Sequence, residues 1–186
     1  MTPETLISIC LGIGLSASVG FRVFLPLFAL SLASYFNLWE LNASWEWVGS
    51  MPALVALGVA TVVEVCAYFI PYVDNLLDSI AVPLAALAGT AVMLSTVADL
   101  SPVITWALAI IAGGGTAAAI AGTSGTTRLA STATTGGLAN PVVSTLETGT
   151  SAVMSAISIF LPIVAIILVI VILLFIFKLF IRFKRK

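Results

Sequence analysis

Thirty consecutive residues, Thr148 to Phe177, pass without one charged side chain. An α-helix rises about 1.5 Å per residue, so about 20 apolar residues cross the roughly 30 Å hydrocarbon core of a bilayer. A soluble domain of this size would have to hide that run, and small domains bury only about two-thirds of their surface. The remainder of the chain makes hiding it impossible: 61% of the 186 residues are hydrophobic and 8% are charged, where soluble domains carry about 25% charged residues. These figures exclude a soluble enzyme, a nucleic-acid binder and a disordered tail. In lipid every backbone polar group needs an internal partner, so the expected fold is an all-α polytopic integral membrane bundle of five or six spans.

The chain has no histidine, the commonest metal ligand and proton shuttle. A Ser-His-Asp triad is therefore impossible, and neither enzymatic activity, a cofactor nor a metal site is expected. Cys10 and Cys66 stand alone in apolar runs and read as small buried hydrophobes. The N-terminus lacks the basic region of a signal peptide, so the first apolar stretch is expected to stay in the protein.

That first stretch, Thr5–Tyr35, is interrupted by Arg22 and Pro26 and predicts one kinked helix or two pieces breaking near Gly20–Pro26. Asn37–Ser50 holds three of the four tryptophans and two glutamates, a composition suited to the headgroup region. Further spans are predicted over Met51–Ile70, from Pro83 to about Ala98, and over Val103–Ile120, with a tight turn at Asp99–Pro102. Gly113–Pro141 is rich in Gly, Ser and Thr and has Arg128 as its one charge. It reads as a broken or re-entrant segment packed inside the protein, the alternative being a flexible loop. Val142–Phe177 returns to helix with a kink at Pro162. Five of the seven Lys and Arg residues lie in the closing stretch 178–186; the positive-inside rule puts this basic tail in the cytoplasm, at an inner (plasma) membrane. The whole chain, 1–186, reads as one membrane domain, divisible into half-repeats 1–98 and 99–177.

Outside the tail only two cations remain, Arg22 and Arg128. A cation within an apolar span costs about 3 kcal/mol or more, so each must face a partner, a cavity or a ligand. Both close a Gly/Ser/Thr-rich ascent, Gly14 to Arg22 and Gly122 to Arg128. An inverted repeat of this kind would bring two such segments together around one anion. The guanidinium groups, with the hydroxyls of Ser18, Ser124 and Thr127, are the candidate anion ligands. Glu64, Asp74, Asp78 and Glu147 are the candidate partners, either pairing with the arginines as helix staples or coupling to protons. Asp74 and Asp78, four apart, share a helix face.

These residues also carry a resemblance. Gly20-Phe21-Arg22 with Pro26, Glu64 followed by Pro71-Tyr72-Val73-Asp74-Asn75-Leu76-Leu77-Asp78, Ala88-Gly89 after Pro83, Gly125 with Arg128, Gly136-Gly137, and Asn140-Pro141 with Glu147 resemble domain of unknown function 4126, small bacterial and plastid membrane proteins. The resemblance covers nearly the whole chain and implies a multi-span membrane fold without an established activity. From the residues, the expected function is a transporter or lipid-flipping protein for a small anionic, phosphate-bearing substrate. The partners expected are the bilayer, that anion or a lipid headgroup, and further copies of the chain in a homo-oligomer, with no nucleic acid. Two other readings stay open: a cation or proton channel built on the acids, and a non-transporting membrane scaffold.

Overall fold

The computed structural model describes residues 2–70, 73–98 and 100–184. Pro71, Tyr72 and Asp99 of the expected turns, and Arg185 and Lys186 of the basic tail, lie outside the described residues. Among the described residues the protein is all-α: α1 (Pro3–Val19), α2 (Phe24–Tyr35), a 3-10 helix (Ala43–Gly49), α3 (Met51–Ala67), α4 (Val73–Thr96), α5 (Pro102–Leu108), a π-helical turn (Ala109–Gly114), α6 (Gly115–Thr135), α7 (Asn140–Phe160) and α8 (Pro162–Lys184).

Among the described residues four helices are long and apolar enough to cross a bilayer: Val73–Thr96, Pro102–Thr135, Asn140–Phe160 and Pro162–Arg182. A fifth span forms if the 3-10 helix and α3, bent by 65°, are taken as one broken crossing. The chain is thus an integral membrane protein. Five is the upper count among the described residues, because the first apolar stretch divides, at the predicted place, into helices of 17 and 12 residues, each short of a full crossing.

Gly113–Pro141 departs from expectation. Its residues 113–135 are neither loop nor broken segment but the greater part of a continuous 34-residue helix, Pro102–Thr135, which takes one π turn and ends at Gly136 in the left-handed conformation (φ 63°); only the short turn 136–139 separates it from α7, which Asn140 and Pro141 open. The physical reason lies in the threonines. Thr126 and Thr127, both exposed, donate their hydroxyls to the carbonyls of Gly122 and Thr123 four residues back, at 2.8 and 3.0 Å. Thr145 and Thr150 do the same on α7. A hydroxyl closed onto its own helix leaves a methyl facing outward, so a Thr-rich helix meets lipid without an unsatisfied donor. The π turn inserts one extra residue without breaking the backbone ladder. Pro162 does more than kink its run: α7 ends at Phe160 and α8 begins at Pro162. The first part of the basic tail continues α8, with Lys178 and Arg182 exposed on it.

α1 is the axis of the bundle. It packs against α4, α7 and α8, with α6 beside it, and Leu11, Leu15, Ala17 and Val19 are within 1% of full burial. With lipid tails as apolar as leucine, helices gain little from hiding apolar surface and associate through close packing and polar contacts. Both are present. Ser16 donates to the Gly89 carbonyl at 2.9 Å and Ser151 to the Ser18 carbonyl at 3.0 Å. Gly89 of α4 and Gly113 of the π turn pass so closely that a Cβ on Gly89 would fall 2.8 Å from the Gly113 carbonyl oxygen. α3 is the exception: it packs principally on α2 and the 3-10 helix, with only Ala53 and Glu64 buried. Cys66 lies exposed on it and Cys10 is half-buried, so neither cysteine fills the core as expected.

Gly89→Leu is expected to cost about 3 kcal/mol, the upper end of overpacking penalties, because the obstacle is backbone. Gly149→Ala, in open space on α7, is expected to stabilise by about 0.5–1 kcal/mol through helix propensity. Thermal unfolding of the two variants in detergent checks the contrast; equal melting points would refute the close Gly89–Gly113 crossing.

Candidate functional site

The chain turns between α1 and α2 at Gly20–Val23, and this break carries Arg22 inward. Arg22 is 1% exposed, among the largest wholly buried side chains of the protein. Its donors are spent on α7: Nε donates to Thr148 Oγ1 at 2.9 Å, and Nη2 to the Ser144 carbonyl and Oγ at 2.9 and 2.6 Å. Nη1 lies 3.5 Å from Glu147 Oε2. Arg128 approaches the same carboxylate from α6, 2% exposed. Its Nε donates to both Glu147 oxygens, at 3.2 and 3.1 Å, and Nη2 donates to Oε2. Asp78 Oδ1 stands 3.7 Å from Arg128 Nε. Two guanidinium groups from different elements therefore converge on one carboxylate.

Tyr68, at the C-terminal end of α3, completes the arrangement. The guanidinium carbons of Arg22 and Arg128 lie 4.0 and 4.1 Å from the centre of its ring, within the range where a cation is attracted to the negative face of an aromatic. Glu64 behaves otherwise than expected. Instead of pairing with an arginine it accepts from the backbone N–H groups of Val23 and Phe24, at 2.8 and 3.0 Å. Those groups open α2, where the helix dipole is positive and the first N–H donors lack intrahelical partners. The carboxylate holds α3 to the break that positions Arg22.

Charge closes locally: Glu147 and Asp78 oppose the two guanidinium groups, and Glu64 sits on a helix N-terminus. Arg128 Nη1 is the exception, buried and without an acceptor among the described residues. The chamber enclosed by Arg22, Glu64, Tyr68, Asp78, Arg128 and Glu147 has a volume of about 20 Å³, enough for about one water molecule.

Of the sequence candidates, Arg22, Arg128, Glu64, Asp78 and Glu147 come together, and Ser124 lines the chamber. Ser18 does not take part: its hydroxyl returns to the Gly14 carbonyl of its own helix. Thr127 lies exposed, its hydroxyl likewise closed onto its helix. Asp74 belongs to a neighbouring network, accepting from Asn140 Nδ2 at 3.2 Å, while Asn140 also donates to Thr132 at 3.1 Å. The two arginine-bearing ascents also differ locally, Arg22 lying in a break and Arg128 within a helix. Sequence reasoning missed Tyr68, Ser144 and Thr148. Ser144 had a signal: Asn140, Ser144, Glu147, Ser151, Ser155 and Ser158 recur at spacings of three and four and are all buried, a polar stripe on one helix face, and Thr148, half-buried, lies beside that stripe one turn after Ser144. Tyr68 had none.

The family described as Domain of unknown function (DUF4126) matches residues 9–182. No curated protein and no solved structure matches the chain.

Removing one member of a buried ion pair leaves its partner uncompensated at a cost of about 3–5 kcal/mol, whereas replacing both by apolar groups is far milder. Glu147→Met, which takes the shared counter-charge from both arginines, is expected to destabilise by that amount, and Arg128→Met, which leaves Glu147 paired with Arg22, by clearly less. Thermal unfolding in detergent checks this; an Arg128→Met variant less stable than Glu147→Met would show that Glu147 is not the shared counter-charge described.

Proposed function

Since the chain belongs to the DUF4126 family, whose description assigns no activity, we propose a function from the site itself: a membrane carrier or flipping protein for a small oxyanion, held by Arg22 and Arg128. One observation carries the reading. Two buried guanidinium groups share a single carboxylate, Glu147, and paired N–H donors in this fork geometry are the usual recognition element for carboxylate or phosphate. Glu147 stands where cargo would bind.

The size of the chamber dictates the rest. A space of about 20 Å³ does not admit an oxyanion beside the resident one, so cargo binds as Glu147 leaves. A departing carboxylate moved into apolar surroundings is costly unless it takes a proton. Binding one anion and protonating Glu147 leaves the charge of the site unchanged, which couples anion movement to a proton. Asp78 remains as the second counter-charge and Glu64 keeps Arg22 in place through α2. Ser144 and Thr148 hold Arg22 whether or not Glu147 is present. The basic end of α8 sets the C-terminus on the cytoplasmic side of an inner membrane, and a carrier this small is expected to work as a homo-oligomer.

The test is uptake of inorganic phosphate into proteoliposomes. Uptake is expected to saturate, to rise when the outside is acidified, and to fall at least tenfold in Arg22→Gln, consistent with losing charged hydrogen bonds of about 1.5–3 kcal/mol. Glu147→Gln is expected to abolish the acid stimulation. A cation current that is lost in Asp78→Asn, with no phosphate uptake, would instead establish the channel reading. No flux of either kind, with variants that only unfold, would leave a scaffold.

A further inference from the structure

Beside the chamber lies an apolar slot. Because α3 packs principally on α2 and the 3-10 helix, a cavity of about 400 Å³ remains between it and α4, a volume within the range of ligand pockets. Val59, Ala60 and Val63 of α3 face Leu77 and Leu84 of α4 across it. Val59 and Val63 are 59% and 60% exposed, so the slot opens on the lipid side of the bundle. Among the described residues Glu64 is the one charged residue of its lining, and that carboxylate is already bound to two backbone N–H groups.

The inner end of the slot is the wall of the chamber: Val23, Glu64, Tyr68 and Ala81 line both. Tyr68 also borders a third cavity of about 280 Å³ with Asp74, Asn75, Thr132 and Asn140 on its walls. One aromatic ring thus separates an apolar slot, a chamber holding two arginines, and a polar vestibule at the end of α6. The unpartnered Nη1 of Arg128 is an independent sign that the chamber's donors outnumber the acceptors the protein supplies.

We propose that the cargo is a lipid-like anion, with its oxyanion head against Arg22 and Arg128 and its hydrocarbon chain in the α3–α4 slot, reaching the site sideways from the bilayer. This rests on the carrier reading above and names its substrate class. Charge complementarity selects the occupant: the slot is apolar along its length and ends at paired guanidinium groups, which suits an amphiphile with a compact negative head. A second copy of the chain would present a helix flank, which has no such head. A chain already in lipid gains little by moving into an apolar slot, so the head supplies recognition and the slot supplies the path. The vestibule gives the head a polar exit on the far side of Tyr68.

The full chain is reconstituted in phosphatidylcholine vesicles with a trace of dodecyl phosphate bearing a photoreactive diazirine on its chain. Illumination is expected to label α3 and α4 around Val59, Ala60, Val63 and Leu84. Unlabelled dodecyl phosphate should compete and dodecanol should not. Labelling is expected to fall at least tenfold in Arg128→Gln. Ala60→Trp, which fills the slot from its lipid side, should do the same at an unchanged melting temperature, and it keeps the test decisive if Arg128→Gln does not fold. Even labelling of α3, α4 and α8, equal competition by dodecanol, or efficient cross-linking of two copies through Val59→Cys would each overturn the slot. Phosphate uptake that still depends on Arg22 alongside even labelling would overturn the slot alone; loss of both signals would overturn the carrier reading with it.

Discussion

Two guanidinium groups cannot sit inside an apolar bundle without a negative charge between them, and Glu147 is that charge. Much of the architecture follows from bringing these groups together. Arg22 can reach inward because the first apolar stretch stops and turns at Gly20–Val23, and Glu64 fixes that turn by capping α2. Arg128 can reach Glu147 because α6 and α7 join through a short turn begun by Gly136 in the left-handed region. Tyr68 then covers both cations with one ring. Each group is costly to bury alone and acceptable only in company, so the cluster forms as a unit or not at all.

Around that centre the protein is built from residues that let helices touch. The Gly89–Gly113 crossing brings two backbones together, and serine hydroxyls of α1 and α7 tie neighbouring helices through their carbonyls. This is how a bundle holds where water supplies no hydrophobic drive between helices. The outward surfaces follow a different economy: threonines close their hydroxyls onto their own turns, and α8 presents Ile, Leu and Phe to the lipid. α3 escapes both regimes. It is tied at Glu64 and half-buried or exposed along nearly all the rest of its length, and the space it leaves against α4 leads to the buried charges. The tight side of the bundle holds the arginines still, while the loose side gives access to them.

The sequence by itself determined the class. Charge-free runs longer than a bilayer is thick, together with so few charged residues, leave no soluble solution, and the division near Arg22 follows from a charge, a glycine and a proline in succession. It also singled out Arg22, Arg128, Glu64, Asp78 and Glu147, because a charge in an apolar run needs a reason to be there, and these five do meet. Local pattern failed where two structures share one composition. Gly113–Pro141 has the residues of a loop and the threonine back-bonding of a helix, and only packing against α4 and α1 chose the helix. Ser18 and Thr127 were named because they neighbour the arginines in sequence, yet on a helix adjacent residues point to different faces. Which acid meets which cation, the use of Glu64 as a cap, and the placing of Tyr68 between two arginines from distant elements were decided by tertiary structure alone. Such contacts arise from how helices cross, and the order of residues along one helix carries no record of what a neighbouring helix brings against it.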